Sequence, residues 1–378
     1  MLTDAEIAKI ATEYGMRFEA INVKYLELMG KHIREIGTLT ASDVQRLQQM
    51  QKYGANVKAI NEMLARECNR TTKDLSALYE KLTKEEYSHA KELYLYANGI
   101  QVPLHLNKRL QTFLESMKRL TAGTFNNLSR TTVIDKQYRD LVDTAVQAVA
   151  TGTSDFNTEV TDAIKSNPVG AKVEYASGYI RRLDSAVRMN VMEGVRQLNM
   201  GTRQIMGEQF GADGYEISAH ALCAPDHMEI QGRQYAKGYE EKIVKGTIYQ
   251  GYESMNESLK RHIGTCNCKH YIFPIILGIS HPTYSYEDLM TYKSYSESLI
   301  EVNGKHISRY QCSQMQRKLE TKMRYEKDNI IFSRNAGLDD EVKAEEKRLK
   351  ALQAKYRNVS NVSGLSKQYN RAYVPGYK

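Results

Sequence analysis

Ser218-Ala219-His220-Ala221-Leu222-Cys223-Ala224-Pro225-Asp226-His227 and, further on, Gly264-Thr265-Cys266-Asn267-Cys268-Lys269-His270-Tyr271-Ile272-Phe273-Pro274 are the two stretches on which the reading of this chain turns. They lie in a window from Gly214 to Tyr286 that holds three of the five cysteines, five of the nine histidines and three of the six prolines. Residues 215–218 and 269–273 have the apolar, aromatic make-up of short strands bounded by turn residues. The window therefore reads as a small, irregular α+β unit in which loops carry the chemistry-bearing side chains.

On its N-terminal side the chain is helical. Ile7, Ala11, Tyr14, Phe18, Ile21, Tyr25, Leu28 and His32 recur at alternating steps of four and three, the seam spacing of a helix packed in a bundle or coiled coil. Thr3 with Glu6 reads as a capping box at its start, and Ser42 with Gln45 and Thr83 with Glu86 repeat that signal. Helices are thus expected over 42–67, 83–97, 104–120 and 133–150, with turn chemistry at 151–154 and 166–170. Tyr179, Leu183, Val187, Val191 and Val195 resume a helical row, and no strand-rich domain is expected before residue 207. Beyond Pro282, Cys312, Met315, Leu319, Met323, Glu326 and Ile330 mark one helix, and Val342, Leu349, Leu352 and Tyr356 another. From Val359 onward the chain reads as an extended tail.

The expected fold is therefore mainly α with a small α+β unit: a helical region 1–207, a Cys/His-rich α+β core 208–285, and a basic helical region with tail 286–378. The 378 residues carry 53 Lys+Arg against 45 Asp+Glu, a net charge of +8, spread as a mildly acidic core (net −2) beside a basic C-terminal region (net +6). Such balances are short of the concentrated basic face of most nucleic-acid binders. Six prolines in the whole chain suit long helices. The 26 tyrosines, with no tryptophan, read as half-buried packing residues on those helices, with aromatic interfaces as the other use of so many. Apolar runs are too short to span a membrane, and Met1–Glu6 has neither the basic nor the apolar stretch of a secretory signal, so a soluble, non-secreted protein is expected. Five cysteines in such a chain suit reduced thiols or metal ligands better than disulfides.

Two spacings, His220-x2-Cys223-x3-His227 and Cys266-x-Cys268-x-His270, offer six soft ligands for a four-ligand structural zinc, which a small unit with a modest core would gain stability from binding. Buried thiols and ordinarily hydrogen-bonded histidines are the competing explanation. A nucleophilic pair, Cys223 as thiolate with His227 as base, is a third arrangement, but no oxyanion-hole motif accompanies it. No Gly-rich phosphate loop, His-Glu-x-x-His or Gly-x-Ser-x-Gly occurs anywhere in the chain. No catalytic residues are assigned on this basis.

The first stretch, followed by Ile230-Gln231-Gly232-Arg233-Gln234-Tyr235, resembles the phage minor capsid protein 2 family, itself similar to the minor head proteins of the Mu F type. The second stretch, with Gly278-Ile279-Ser280 after it, is similar to that family's Asn-Cys-Arg-His and Pro-x-x-x-Gly-Ile-Ser signature, with Lys269 in place of the usual arginine. Tyr310-Gln311-Cys312-Ser313-Gln314-Met315-Gln316-Arg317-Lys318-Leu319-Glu320 and Arg371-Ala372-Tyr373-Val374-Pro375-Gly376-Tyr377 extend the likeness, which is close over 205–378 and rests on length and helicity before that. The resemblance implies a structural, non-enzymatic component of a tailed-phage head. Its partners would be the portal protein and the major capsid or scaffolding protein, with packaged DNA as a further contact. Its places would be the virion and, during assembly, the host cytoplasm. Two other functions are set beside it: a DNA-contacting protein that travels with the genome, and a metal- or Cys-dependent hydrolase in residues 208–285.

Overall fold

The computed structural model describes residues 2–39, 43–98, 101–151, 155–265 and 268–377. In chain order the elements are α1 (Asp4–Ile36), α2 (Asp43–His89), α3 (Lys91–Asn98), α4 (Lys108–Thr131), β1 (Thr132–Val133), α5 (Asp135–Thr151), α6 (Phe156–Ser166), β2 (Lys172–Glu174), β3 (Ile180–Arg182) and α7 (Leu183–Gln209). There follow β4 (Gly214–Ile217), β5 (Gln234–Ala236), β6 (Lys242–Val244), β7 (Thr247–Tyr249), α8 (Tyr252–Glu257), β8 (Ile272–Ile275), α9 (Tyr286–Glu297), β9 (Leu299–Val302), β10 (Lys305–Ser308), α10 (Arg309–Ala336) and α11 (Asp339–Ser363). The protein is mainly helical, with a small mixed region of short sheets at its centre, as the residue pattern indicates. Its elements gather into two compact units. One comprises Met1–Ala11, Thr72–Thr124 and Met189–Ser313; the other comprises Thr12–Thr71, Phe125–Arg188 and Gln314–Lys378.

The seam of α1 is buried along its length, with only Leu28 of the eight residues half-exposed. At its start the Thr3 N–H donates to Glu6 Oε2 (2.7 Å) and the Glu6 N–H to Thr3 Oγ1 (3.3 Å), the reciprocal pair of a capping box. Ser42 lies outside the described residues. The start signal at Thr83 is not used: α2 runs unbroken from Asp43 to His89 where two helices were expected. Leu64, Cys68, Thr71, Leu75, Tyr79, Leu82 and Thr83 are all buried at steps of three and four, apart from the adjacent last two. One apolar face thus continues through the supposed boundary and outweighs the local capping chemistry.

In the second unit, Tyr25 on α1 donates its hydroxyl to the Ile134 carbonyl (3.1 Å). His32 is fully buried, held between the Tyr138 hydroxyl (2.7 Å) and Gln49 Oε1 (2.8 Å). Burial pushes the His32 pKa down. Two expectations are corrected here. A three-stranded antiparallel sheet, β1–β2–β3, stands where only helix was read. Tyr179, placed on a helical row, is an exposed residue just before β3, and α7 begins at Leu183. Gly178 at φ +77° makes the turn from β2 to β3, a conformation in which a residue with a Cβ is strained. β3 ends on Arg182, whose guanidinium is almost fully buried among carboxylates. It binds both oxygens of Glu19 (2.7 and 2.8 Å), Asp184 (3.0 Å) and Asp328. Helix α11 extends to Ser363 and ends on Gly364 at φ +68°, so the tail begins later than expected. That tail is packed, not loose. Ala372 and Val374 are buried, the Gln368 N–H donates to the Tyr356 hydroxyl (2.7 Å), and Lys327 Nζ donates to the Ala372 carbonyl (2.6 Å).

In the first unit, β5, β4 and β8 form an antiparallel sheet, with Tyr215 opposite Tyr235 and Ile217 opposite Ile272. One cluster of Tyr215, Ile217, Tyr235, Tyr252, Met255, Ile263, Cys268 and Ile272 forms its core. Two largely exposed hairpins accompany it: β6–β7, which lies between β5 and β8 in sequence, and β9–β10, which follows it. The tyrosines follow the packing use: Tyr79, Tyr215, Tyr235 and Tyr252 are buried, while Tyr239 and Tyr286 are exposed. Helix α7 admits the Tyr79 ring because position 194 is glycine: a Cβ there would overlap the Tyr79 hydroxyl. That hydroxyl also accepts from Thr121 Oγ1 (3.1 Å). Gly194→Ala is expected to destabilise by about 1–3 kcal/mol despite alanine's better helix propensity, measurable as a lowered urea midpoint. An unchanged midpoint would show that Tyr79 can yield.

Candidate metal centre

The Cys/His window converges on three donor atoms. Cys268 Sγ lies 3.3 Å from His270 Nδ1 and 3.6 Å from His227 Nδ1, and the two nitrogens are 3.4 Å apart. All three side chains are buried, and their ligand atoms lie within 4.8 Å of one another. His227 arrives on a single 3-10 turn, Pro225–His227, which the proline initiates. Cys268 and His270 come from the irregular approach to β8. The predicted strand at 269–273 is instead Ile272–Ile275, because the Cys268 N–H closes a turn on the Thr265 carbonyl (2.8 Å). Both side chains nonetheless reach the same point, with Cys268 Sγ and His270 Nδ1 3.3 Å apart.

Surrounding groups fix the rings. His227 Nε2 sits 2.8 Å from the Arg261 carbonyl, which can only accept, so Nε2 carries the hydrogen and Nδ1 presents a lone pair. Gln231 Oε1 accepts the His220 backbone N–H (3.1 Å), which identifies it as the oxygen; the His270 Nε2 lying 3.1 Å away must therefore donate to it. His270, too, turns Nδ1 inward. From below, Arg196 donates to the Cys268 carbonyl (3.0 Å) and holds the loop.

The electrostatics agree with this geometry. Burial, with His220 and His227 beside it, pushes the His270 pKa down to about 2, so the ring is neutral. Burial opposes a charge on His227, but the Cys268 sulfur and the Arg261 carbonyl outweigh it and raise the pKa. Burial likewise opposes a Cys268 thiolate, yet the His227 ring and the nearby backbone N–H groups bring its pKa down. Cys223 behaves oppositely: burial pushes its thiol up to about 12.

The six candidates of the sequence reading thus separate. His227, Cys268 and His270 meet. His220 stacks on the His270 ring, centroids 4.5 Å apart, while its Nδ1 faces the Ala221 carbonyl (2.8 Å). Cys223 is buried with its Sγ 3.8 Å from Met228 Sδ, and Cys266 lies outside the described residues. The Cys223–His227 pairing of the nucleophilic reading is not what the geometry brings together: Nδ1 of His227 faces Cys268, and Nε2 faces a carbonyl. Sequence reasoning assigned no role to Gln231, Arg261 or Arg196. Gln231 sits in a quoted block, but nothing in residue type marks a glutamine or a backbone carbonyl as an orienting partner.

Two histidine nitrogens and a thiolate, buried and aimed at one point, are a donor set suited to a structural metal such as zinc. No curated protein and no solved structure matches the chain. The family model described as phage minor capsid protein 2 matches residues 10–360, from the first helix through most of the last, and the chain accordingly belongs to that family: it is a structural protein of phage head morphogenesis.

Proposed function

We propose that the protein associates with the portal and the inner capsid surface while the head assembles and DNA is packaged, and that it remains in the finished virion after assembly in the host cytoplasm. Family membership over residues 10–360 carries this reading, since it implies capsid-assembly contacts in general. Among the described residues no helix is long and apolar enough to cross a membrane. In this reading residues 208–285 fix a compact core and turn over no substrate, while the helical regions 1–207 and 286–378 supply the docking surfaces, with the major capsid or scaffolding protein as the further partner.

Mass spectrometry of purified proheads and virions, together with co-purification of the full chain with the portal protein, tests it. Presence in both particles and a stable portal complex are expected; absence from both particles would sink the proposal. The full chain is needed, because a cut at residue 285 removes α10 and α11 from the second unit. The basic 286–378 region favours one further contact, with packaged DNA. Its binding to duplex DNA should then fall steeply with added salt. Salt-independent or absent binding removes that contact.

A further inference from the structure

We propose that the converging cluster is a zinc site in which Nδ1 of His227, Nδ1 of His270 and Sγ of Cys268 are three ligands and Sγ of Cys223 is the fourth, with His220 packed outside it as a non-ligand. The inference concerns the fold's own stability and is independent of the portal reading above.

The spacing of the donor atoms argues for it first. Zinc bonds of about 2.05 Å to nitrogen and about 2.3 Å to sulfur, at tetrahedral angles, place two nitrogens about 3.3 Å apart and a nitrogen and sulfur about 3.6 Å apart. The cluster shows 3.4 Å for the nitrogen pair and 3.3 and 3.6 Å for the nitrogen–sulfur pairs. Three edges of a zinc tetrahedron are therefore already laid out.

Ring orientation argues for it second. Two bare imidazole nitrogens 3.4 Å apart inside the fold repel each other, and a single proton can bridge only one pair of the three donors. A dication satisfies all three together. The acceptors that hold the outer nitrogens, the Arg261 carbonyl and Gln231 Oε1, are the usual outer partners of metal-bound histidines. His220 does not fit as a ligand. Its nitrogens are not among the donor atoms that gather within 4.8 Å of one another, and its ring lies against the face of His270.

The fourth ligand follows from closure. A site at this depth excludes solvent, and structural zinc sites are closed by a fourth protein ligand. Cys223 is buried and comes from the same loop as His227, four positions before it. Its sulfur rests on a thioether, a weak partner that it can leave by a side-chain rotation. Leu222 just before it holds a left-handed φ of 61°, and its N–H is tied to Ser296 Oγ (2.8 Å), so the backbone that carries Cys223 is fixed.

The test uses the full chain without a histidine tag, expressed with zinc and passed through gel filtration. Elemental analysis should give about one zinc per chain, retained by His220→Ala and lost from Cys268→Ser. Gln231→Ala should weaken zinc affinity by about 10- to 100-fold, as loss of a ligand-orienting group does elsewhere. Soluble, monodisperse wild-type protein that holds no zinc after reconstitution would overturn the site, whatever happens to the variants. Cobalt(II) in place of zinc reports the thiolates, since its near-ultraviolet charge-transfer intensity scales with their number. Cys223→Ser should lower that intensity by about half, as expected for a site with two thiolates. An unchanged intensity in Cys223→Ser, with the loss appearing in Cys266→Ser, would overturn the fourth ligand.

Discussion

Arg182→Met is expected to lower the stability of the protein by about 3–5 kcal/mol, the usual cost of leaving buried charges without their partner. Arg182 lies at the end of β3 with only 4% of its surface exposed, beside Glu19 at 3% and Asp328 at 0%. Its Nη2 bridges both Glu19 oxygens, its Nη1 binds Asp328, its Nε binds Asp184, and its Cζ lies 5.3 Å from the centroid of the Tyr325 ring. Asn22 extends the network: its amide donates to Asp328 (3.2 Å), and its oxygen accepts the Ala171 N–H (2.7 Å). Asp184 keeps a second cation, Arg324, in direct contact. Burial already pushes the Glu19 pKa up against the pull of Arg182, so removing the guanidinium forces Glu19 to take up a proton or unfold the site, and it takes from buried Asp328 its cationic partner. Arg182→Lys should recover part of the loss, because it keeps the charge but not the fork. Chemical unfolding of the three proteins at pH 7 measures this. A loss below about 1 kcal/mol in the methionine variant would mean that the network is solvated, as surface pairs are.

The second large effect has the opposite sign. Glu345 on α11 is fully buried; its Oε1 accepts from Ser333 (3.1 Å), and its Oε2 has no hydrogen-bond partner among the described residues. Arg348, 3.9 Å away, is engaged closer in by Glu341 (2.7 Å) and Glu326 (3.2 Å). Burial, with only partial relief from Ser333, lifts the Glu345 pKa from the ordinary 4.5 to about 8. Between those values the folded chain holds a proton that the unfolded chain has released, so the stability contributed by this group is complete below pH 4.5 and is lost as pH rises towards 8. Glu345→Gln removes that dependence. Its gain should be nil near pH 4, grow by about 1.4 kcal/mol per pH unit and level off above pH 8, with an upper limit of about 5 kcal/mol. Thermal melts of both proteins from pH 4 to 9 read it directly. A gain that is equal at all pH values would place the cause in packing instead.

Legibility varied with the range of the interaction. The α1 seam and its Thr3–Glu6 cap are local patterns and were readable, as were the helices carrying Cys312 and Tyr356. The break at Thr83 was misread because a capping signal is local, whereas the buried face from Leu64 to Leu82 that overrides it draws on distant neighbours. The strands β1, β2 and β3, of two or three residues each, carry too little periodicity to declare themselves. In the metal cluster the residue types and spacings marked six candidates, but the choice among them was not written in the spacing.

From sequence alone came the helical halves, the Cys/His-rich centre and the likeness to phage minor capsid proteins, because helix periodicity and short signature blocks are properties of neighbouring residues. Tertiary structure decided which donors meet. His227 and Cys268 are 41 positions apart, and Arg182 and Glu19 are 163 apart. Such pairs are set by how loops close and elements pack, not by local preference. The same holds for the two compact units, each assembled from three separate stretches of chain. No contiguous reading of composition can draw that boundary, since burial is a property of the folded neighbourhood.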